Sequence, residues 1–281
     1  MKFKVFSELE YQVYIPSTFI FNIQVAKTAS QTILEEDLAI EPHFELEAFN
    51  SQNGTRFLRL EIKNAINFKI AYNAIVETNY TIIDEHRLQG EAVISKLDAE
   101  VIPYLFPSRY CQSDKLQRLA TKEFGGITDD YAKVVAITDW IFNNVEYLSG
   151  STNSSTSALD TISERAGVCR DFAHLGIALC RALSIPARYF TGYAFKLNPP
   201  DFHACFEAYV GGNWLFFDAT RLIPINGLVK IANGRDAADA AVASIFGNTF
   251  CNYINVSCEA IDDNFEPYNY WDNKEGGLCY G

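Results

Sequence analysis

Arg165-Ala-Gly-Val-Cys-Arg-Asp-Phe-Ala-His-Leu-Gly-Ile-Ala-Leu-Cys-Arg-Ala-Leu-Ser-Ile-Pro186 reads as one amphipathic helix. Val168, Phe172, Leu175, Leu179 and Leu183 recur at helical intervals, Gly167 opens the segment and Pro186 closes it. Cys169 therefore falls in the first turn, where unpaired backbone N–H groups and the positive end of the helix dipole favour an anion. A thiolate is such an anion, and it is the nucleophilic form of cysteine. Cys180, about three turns deeper on the same apolar helix, reads as a small core residue.

A thiolate needs a proton-carrying partner, and the chain has only four histidines: His43, His86, His174 and His203. The first two lie in a strand-rich region remote from the helix. His174 follows Cys169 by five positions, which turns it away from the cysteine's face, and reads as a surface or hydrogen-bonded histidine. His203 opens a strand-like run, Phe202 to Val210, followed by Gly211-Gly212 and a second run, Asn213 to Asp218. A two-residue Gly-Gly hairpin pairs Val210 with Asn213 and Cys205 with Asp218, whereas a three-residue Gly-Gly-Asn loop would change this register unless a bulge restored it. His203 shares a face with Cys205, so His203 and Asp218 become diagonal neighbours within side-chain reach. The carboxylate then orients the ring and stabilises imidazolium while the other ring nitrogen serves the cysteine.

Outward from this centre the chain divides. Before residue 100, Tyr11 to Ile15, Phe19 to Val25, Phe44 to Phe49, Thr55 to Lys63, Phe68 to Val76 and Tyr80 to Asp84 read as short strands rich in aromatic and β-branched residues, with Asn53-Gly54 as a turn. Their spacing predicts a β-sandwich over residues 1–100. After Pro107, Asp114 to Phe124 and Asp129 to Asn144 have helical periodicity, and Ser149 to Ser157 is a polar run, flexible by composition. Residues 101–281 form the catalytic domain in this reading, and the fold class is α+β.

Composition excludes several functions. The 281 residues carry 23 Lys+Arg against 35 Asp+Glu, a net charge of −12, which argues against a nucleic-acid partner. No stretch approaches a membrane span, and Glu8 and Glu10 interrupt the N-terminus before a secretory apolar region develops, so a cytoplasmic protein with no membrane partner is expected. Seven cysteines without a CxxC pair predict reduced thiols and no zinc ribbon.

Cys169, His203 and Asp218, in that order, resemble the nucleophile, base and orienting acid of the transglutaminase-like superfamily, and more closely its bacterial transglutaminase-like cysteine protease branch. Pro107-Ser-Arg-Tyr-Cys111, Thr156-Ser-Ala-Leu-Asp-Thr161, Gly167-Val-Cys-Arg-Asp-Phe-Ala173, Ile185-Pro-Ala-Arg-Tyr189, Asp201-Phe-His203, Phe217-Asp-Ala-Thr-Arg221 and Gly234-Arg-Asp-Ala237 carry the likeness. The resemblance implies a papain-like catalytic core preceded by an N-terminal sandwich, and a peptide or amide substrate attacked by Cys169. Hydrolysis, transfer to an amine, and a non-catalytic scaffold role are the three outcomes such a chain can have, and hydrolysis is favoured because no second substrate site is recognisable. Two departures stand out. Cys205 occupies a position where this branch usually has Trp, and no Trp lies near Ser155 to Ser157, where animal transglutaminases place an oxyanion donor.

Other residues have plainer readings. Asp171 is a first-turn carboxylate, paired with Arg188, and Glu207 is a sheet neighbour of His203. A metal held by Cys169, His203, Cys205 and Asp218 fits no common ligand spacing, and no metal or cofactor is expected. Asp262, Asp263, Glu266, Asp272 and Glu275 resemble no calcium loop; they read as a solvated tail docked through Tyr268, Tyr270 and Trp271.

Overall fold

Successive residues of a strand face opposite ways, and β1 (Lys2–Val13) buries Phe3, Val5, Ser7, Leu9, Tyr11 and Val13 while the residues between remain partly or fully exposed. The computed structural model describes residues 1–51, 53–262, 264–272 and 276–280. Six strands follow β1: β2 (Ser17–Phe21), β3 (Gln31–Glu41), β4 (Glu47–Asn50), β5 (Arg56–Ile62), β6 (Ile66–Thr78) and β7 (Thr81–Asp84). In β5 the apolar parity Leu58, Leu60 and Ile62 is the buried one, as the alternation predicts. The strand reading misses β3, whose Glu35, Glu36 and Asp37 break the apolar alternation and which lies exposed at a sheet edge.

The helical segment supplies α1 (Ser113–Phe124), α2 (Asp130–Asn144), β8 (Glu146–Tyr147), α3 (Ala158–Glu164), β9 (Ala166–Gly167) and α4 (Cys169–Ala182). Asp129 caps α2, its carboxylate accepting from Ala132 N–H at 2.8 Å. Then come β10 (Ala187–Ala194), β11 (His203–Val210), β12 (Asn213–Phe217), β13 (Leu228–Gly234), α5 (Ala237–Ala240), β14 (Ala243–Phe246), β15 (Thr249–Ala260) and β16 (Gly276–Cys279). The fold is α+β.

Three large sheets organise these elements. One sandwich layer has the order β15-β1-β6-β3 and the other β14-β2-β5-β4, with Tyr11, Phe19, Phe21 and Phe68 interlocking between them. The third, six-stranded sheet runs β13-β10-β11-β12-β16-β7. Both exchanges cross residue 100: β14 and β15 return to the sandwich, and β7 joins the six-stranded sheet through β16.

Helix α4 packs across β11 at a glycine. A Cβ on Gly176 would stand 2.6 Å from the Phe206 ring, so only glycine permits this approach. Among the described residues no helix is long and apolar enough to cross a membrane.

Candidate active site

The Gly211-Gly212 hairpin has the expected register. Val210 pairs with Asn213 and Phe206 with Phe217, and both glycines adopt positive φ, 58° and 81°. Asp218 follows β12 directly. Its Oδ2 meets His203 Nε2 at 3.0 Å, with both side chains essentially excluded from solvent. Oδ1 accepts from Thr220 N–H at 2.9 Å and from the Thr220 hydroxyl at 2.7 Å, which fixes the carboxylate. His203 Nδ1 is buried with no hydrogen-bond partner among the described residues.

Burial alone would lower the His203 pKa, but the Cys205 and Asp218 side chains and, from the cleft side, Cys169 hold it well above the ordinary value. Cys205 itself is pushed up to about 12, chiefly by burial and then by Asp218. It stays a thiol near neutrality, so the charge that stabilises imidazolium belongs to Asp218. Cys205 stands opposite Phe190 in the sheet, and Phe190 packs in a cluster with Phe216 and Tyr280.

Cys169 is the first residue of α4 and is only partly buried. Gly167 permits the turn before it, because a Cβ there would stand 2.8 Å from the Asp171 Cβ. Asp171 is fully buried and its Oδ2 accepts from Val168 N–H at 2.9 Å, closing the helix start. Its ion-pair partner is Arg170 at 3.1 Å rather than Arg188. Arg188 instead pairs with Glu207 at 2.5 Å, because β10 sets these two residues opposite each other and Lys230 approaches the same carboxylate at 3.7 Å. Glu207 is therefore a buried ion-pair centre in the sheet.

Cys169 and His203 line one cavity of about 690 Å³. Thr152, Asn153 and Ser154 form one wall, so the polar run is held in place: Asn153 C=O accepts from Arg170 at 2.5 Å and Tyr110 O–H donates to Ser154 C=O at 2.8 Å. Asp201 lines the same cavity at the end of the Leu197–Asp201 loop. His174 is buried, stacked on Tyr110 with ring centroids 4.9 Å apart, and its Nε2 accepts from Ala237 N–H at 3.1 Å. Burial drives its pKa well down, with Arg170 and Arg181 adding to the effect, so it is a neutral brace for the cleft wall.

Sequence reasoning missed Tyr147. The two-residue pairing of β8 with β9 sets it beside Gly167, and its ring packs on Phe172 at 5.8 Å. Its hydroxyl pKa is pushed up to about 12 by burial and by Cys169, against the opposing effects of His203 and the Cys169 amide. So short a bridge has no periodicity by which a sequence could announce it.

His203, Cys205 and Asp218 each offer one donor atom within 4.8 Å of the others. A metal ion there would have to break the His203–Asp218 hydrogen bond and deprotonate a thiol that burial keeps neutral. In the C-terminal segment Tyr268 and Tyr270 are buried and Trp271 packs against Tyr270, while Asp263 and Glu275 lie outside the described residues.

A helix-borne cysteine beside a His–carboxylate hairpin defines a class of thiol-enzyme folds, and the chain belongs to the transglutaminase-like superfamily. Residues 117–219 match the model of that superfamily, and residues 1–100 match the bacterial transglutaminase N-terminal domain. The crystal structure of "a Putative Cysteine Protease" from Cytophaga hutchinsonii is 63% identical, covers 100% of this chain and 98% of its own, and superposes with a TM-score of 0.98. The uncharacterized protein ML0607 of Mycobacterium leprae is 30% identical over 59% of this chain and 61% of its own length. The uncharacterized protein Mb2599c of Mycobacterium bovis is 32% identical over 43% of this chain and 44% of its own. The chain thus spans less than two thirds of these mycobacterial relatives.

Proposed function

We propose that the chain is a thiol hydrolase of amide or peptide bonds, with Cys169 as nucleophile, His203 as acid and base, and Asp218 as orienting carboxylate. The observation that carries this reading is the buried 3.0 Å His203 Nε2–Asp218 bond, which leaves Nδ1 to serve a cysteine lining the same cavity. In the first step Cys169 Sγ bonds to the carbonyl carbon, the C–N bond breaks, and His203 gives its proton to the departing amine. A water then attacks the thioester, His203 takes a proton from it, the C–S bond breaks, and the acid leaves with the Cys169 thiolate and the protonated His203 restored. The Cys169 N–H at the helix start, with the Tyr147 hydroxyl beside it, receives the oxyanion. The likeness to the Cytophaga protein, described as "a Putative Cysteine Protease", supports this reading.

Two measurements test it. Iodoacetamide at about pH 6 should label Cys169 in preference to the buried cysteines, and His203→Ala should slow that labelling by at least about tenfold. Peptide and acyl-amide donors should be turned over by wild type and by neither Cys169→Ala nor His203→Ala. Equal turnover by both variants and wild type sinks the mechanism. Mass spectrometry with added amines separates hydrolysis from acyl transfer, since the products differ.

A further inference from the structure

From Ala240 to Cys258 the chain carries no Asp, Glu, Lys, Arg or His, although charged residues make up 21% of the sequence. This uncharged stretch supplies β14 and β15, the outer strands of the two sandwich layers on the cleft side. The outer strands at the opposite ends are protected in the ordinary way. β3 carries Glu35, Glu36, Asp37 and Glu41, and Glu47 of β4 is ion-paired with Arg59. β14 and β15 instead expose Phe246 (63%) and Phe250 (60%), together with Ile245, Tyr253 and Ile254. An uncharged, apolar, unpaired strand invites a further strand.

The backbone of β14 is aimed correctly for one. Asn22 N–H donates to Val242 C=O at 2.8 Å, and the register continues Ala243↔Phe21, Ser244↔Ile20, Ile245↔Phe19, Phe246↔Thr18. Hydrogen-bonded pairs alternate along an antiparallel ladder, so Val242, Ser244 and Phe246 bond inward to β2. Ala243 and Ile245 then turn their N–H and C=O groups away from β2. Both residues line the cavity that holds Cys169 and His203.

We infer that the substrate is an extended polypeptide that adds to the free edge of β14 through Ala243 and Ile245, its apolar side chains meeting the Ile245, Phe250 and Ile254 rim and its scissile bond reaching Cys169. This inference rests on the thiol-enzyme reading and deepens it: the cleft selects unfolded or loop segments of proteins over small amides. Strand addition has a signature that general stickiness lacks, because alternate amides of the peptide bond to the edge and the intervening ones do not.

The test uses full-length Cys169→Ala protein and a library of acetylated peptides of about ten residues, the length of a long strand. The tightest binder is remade with one N-methyl group at each position in turn. Binding should fall about tenfold at every second position and change by no more than about twofold at those between, matching the loss of a single hydrogen bond. Ala243→Pro removes the outward N–H, a change tolerated at an unpaired edge, and should weaken binding by about tenfold without lowering the melting temperature. Ile245→Asp should do the same. A scan without alternation, no peptide bound, or a wild-type dimer that Ile245→Asp splits into monomers overturns the inference. A flat scan with short amides still hydrolysed leaves the thiol-enzyme reading standing, whereas an alternating scan without turnover of any donor leaves strand addition standing and sinks that reading.

Discussion

The His203 pKa is raised against its own burial, and the sign of that effect sets a pH dependence. Its pKa is raised in the folded state, so the native protein holds a proton that the unfolded chain releases near pH 6.5. The stability from this pair is complete below that value and is lost as pH rises through the folded pKa. Asp218→Asn keeps a hydrogen-bonding group but removes the charge that sustains imidazolium. The alkaline edge of the activity profile should therefore move to lower pH, and kcat should fall by at least about a hundredfold. An unchanged pH profile would place the relevant ionisation elsewhere. Tyr147→Phe should lower kcat by about ten- to a hundredfold with little change in KM, as for a donor that meets only the oxyanion. The place of Cys169 at a helix start and the meeting of His203 with Asp218 were legible from the sequence because a helix start and a Gly-Gly hairpin each impose geometry locally. Tyr147 was not, since its position depends on a bridge between residues far apart in sequence.

The packing of α4 on β11 places Cys169 relative to His203, and that packing hinges on Gly176. Gly176→Ala should cost about 1–3 kcal/mol, because the Phe206 ring is closed in and can yield only by moving the strand that begins with His203. Denaturant titration measures the cost, and activity should fall further than the fraction unfolded explains. On the other face of the same strand, Glu207 sits between Arg188 and Lys230 with its pKa lowered despite burial, since both cations favour the carboxylate. Glu207→Gln should destabilise by about 3–5 kcal/mol, because two buried cations lose their shared anion. Lys230 behaves oppositely: burial brings its pKa down to about 8, with Arg188 adding to the effect against Glu207. A lowered lysine pKa means that its contribution to stability improves as pH rises from about 8 towards its ordinary value. Lys230→Met should accordingly leave the melting temperature at pH 7 unchanged or higher, and a large drop would contradict this account. Periodic elements such as α1, α2 and β5 could be read directly from the sequence. The acid-rich β3 could not, because an exposed edge strand has no buried face to enforce alternation.

At the scale of the molecule, sandwich and six-stranded sheet are completed by each other's segments. β1 lies between β6 and β15, and β16 lies between β12 and β7. Thermal unfolding should therefore be one cooperative transition followed identically by fluorescence and circular dichroism. Residues 101–281 expressed alone should fail to fold, because β14 and β15 would lack β2 and β1. A soluble, cooperative fragment would show that the exchange is dispensable. This exchange was hidden from the sequence, which reveals local periodicity and turns but not which distant strands become partners.

The same exchange sets a timetable for synthesis. The layer around β1 cannot close until residues 249–260 have left the ribosome, by which point Cys169, His203 and Asp218 have already emerged. Nascent chains thus carry all three side chains before the β14–β15 wall of their cavity exists, and the late arrival of one uncharged ribbon encloses a sulfur that was open until then.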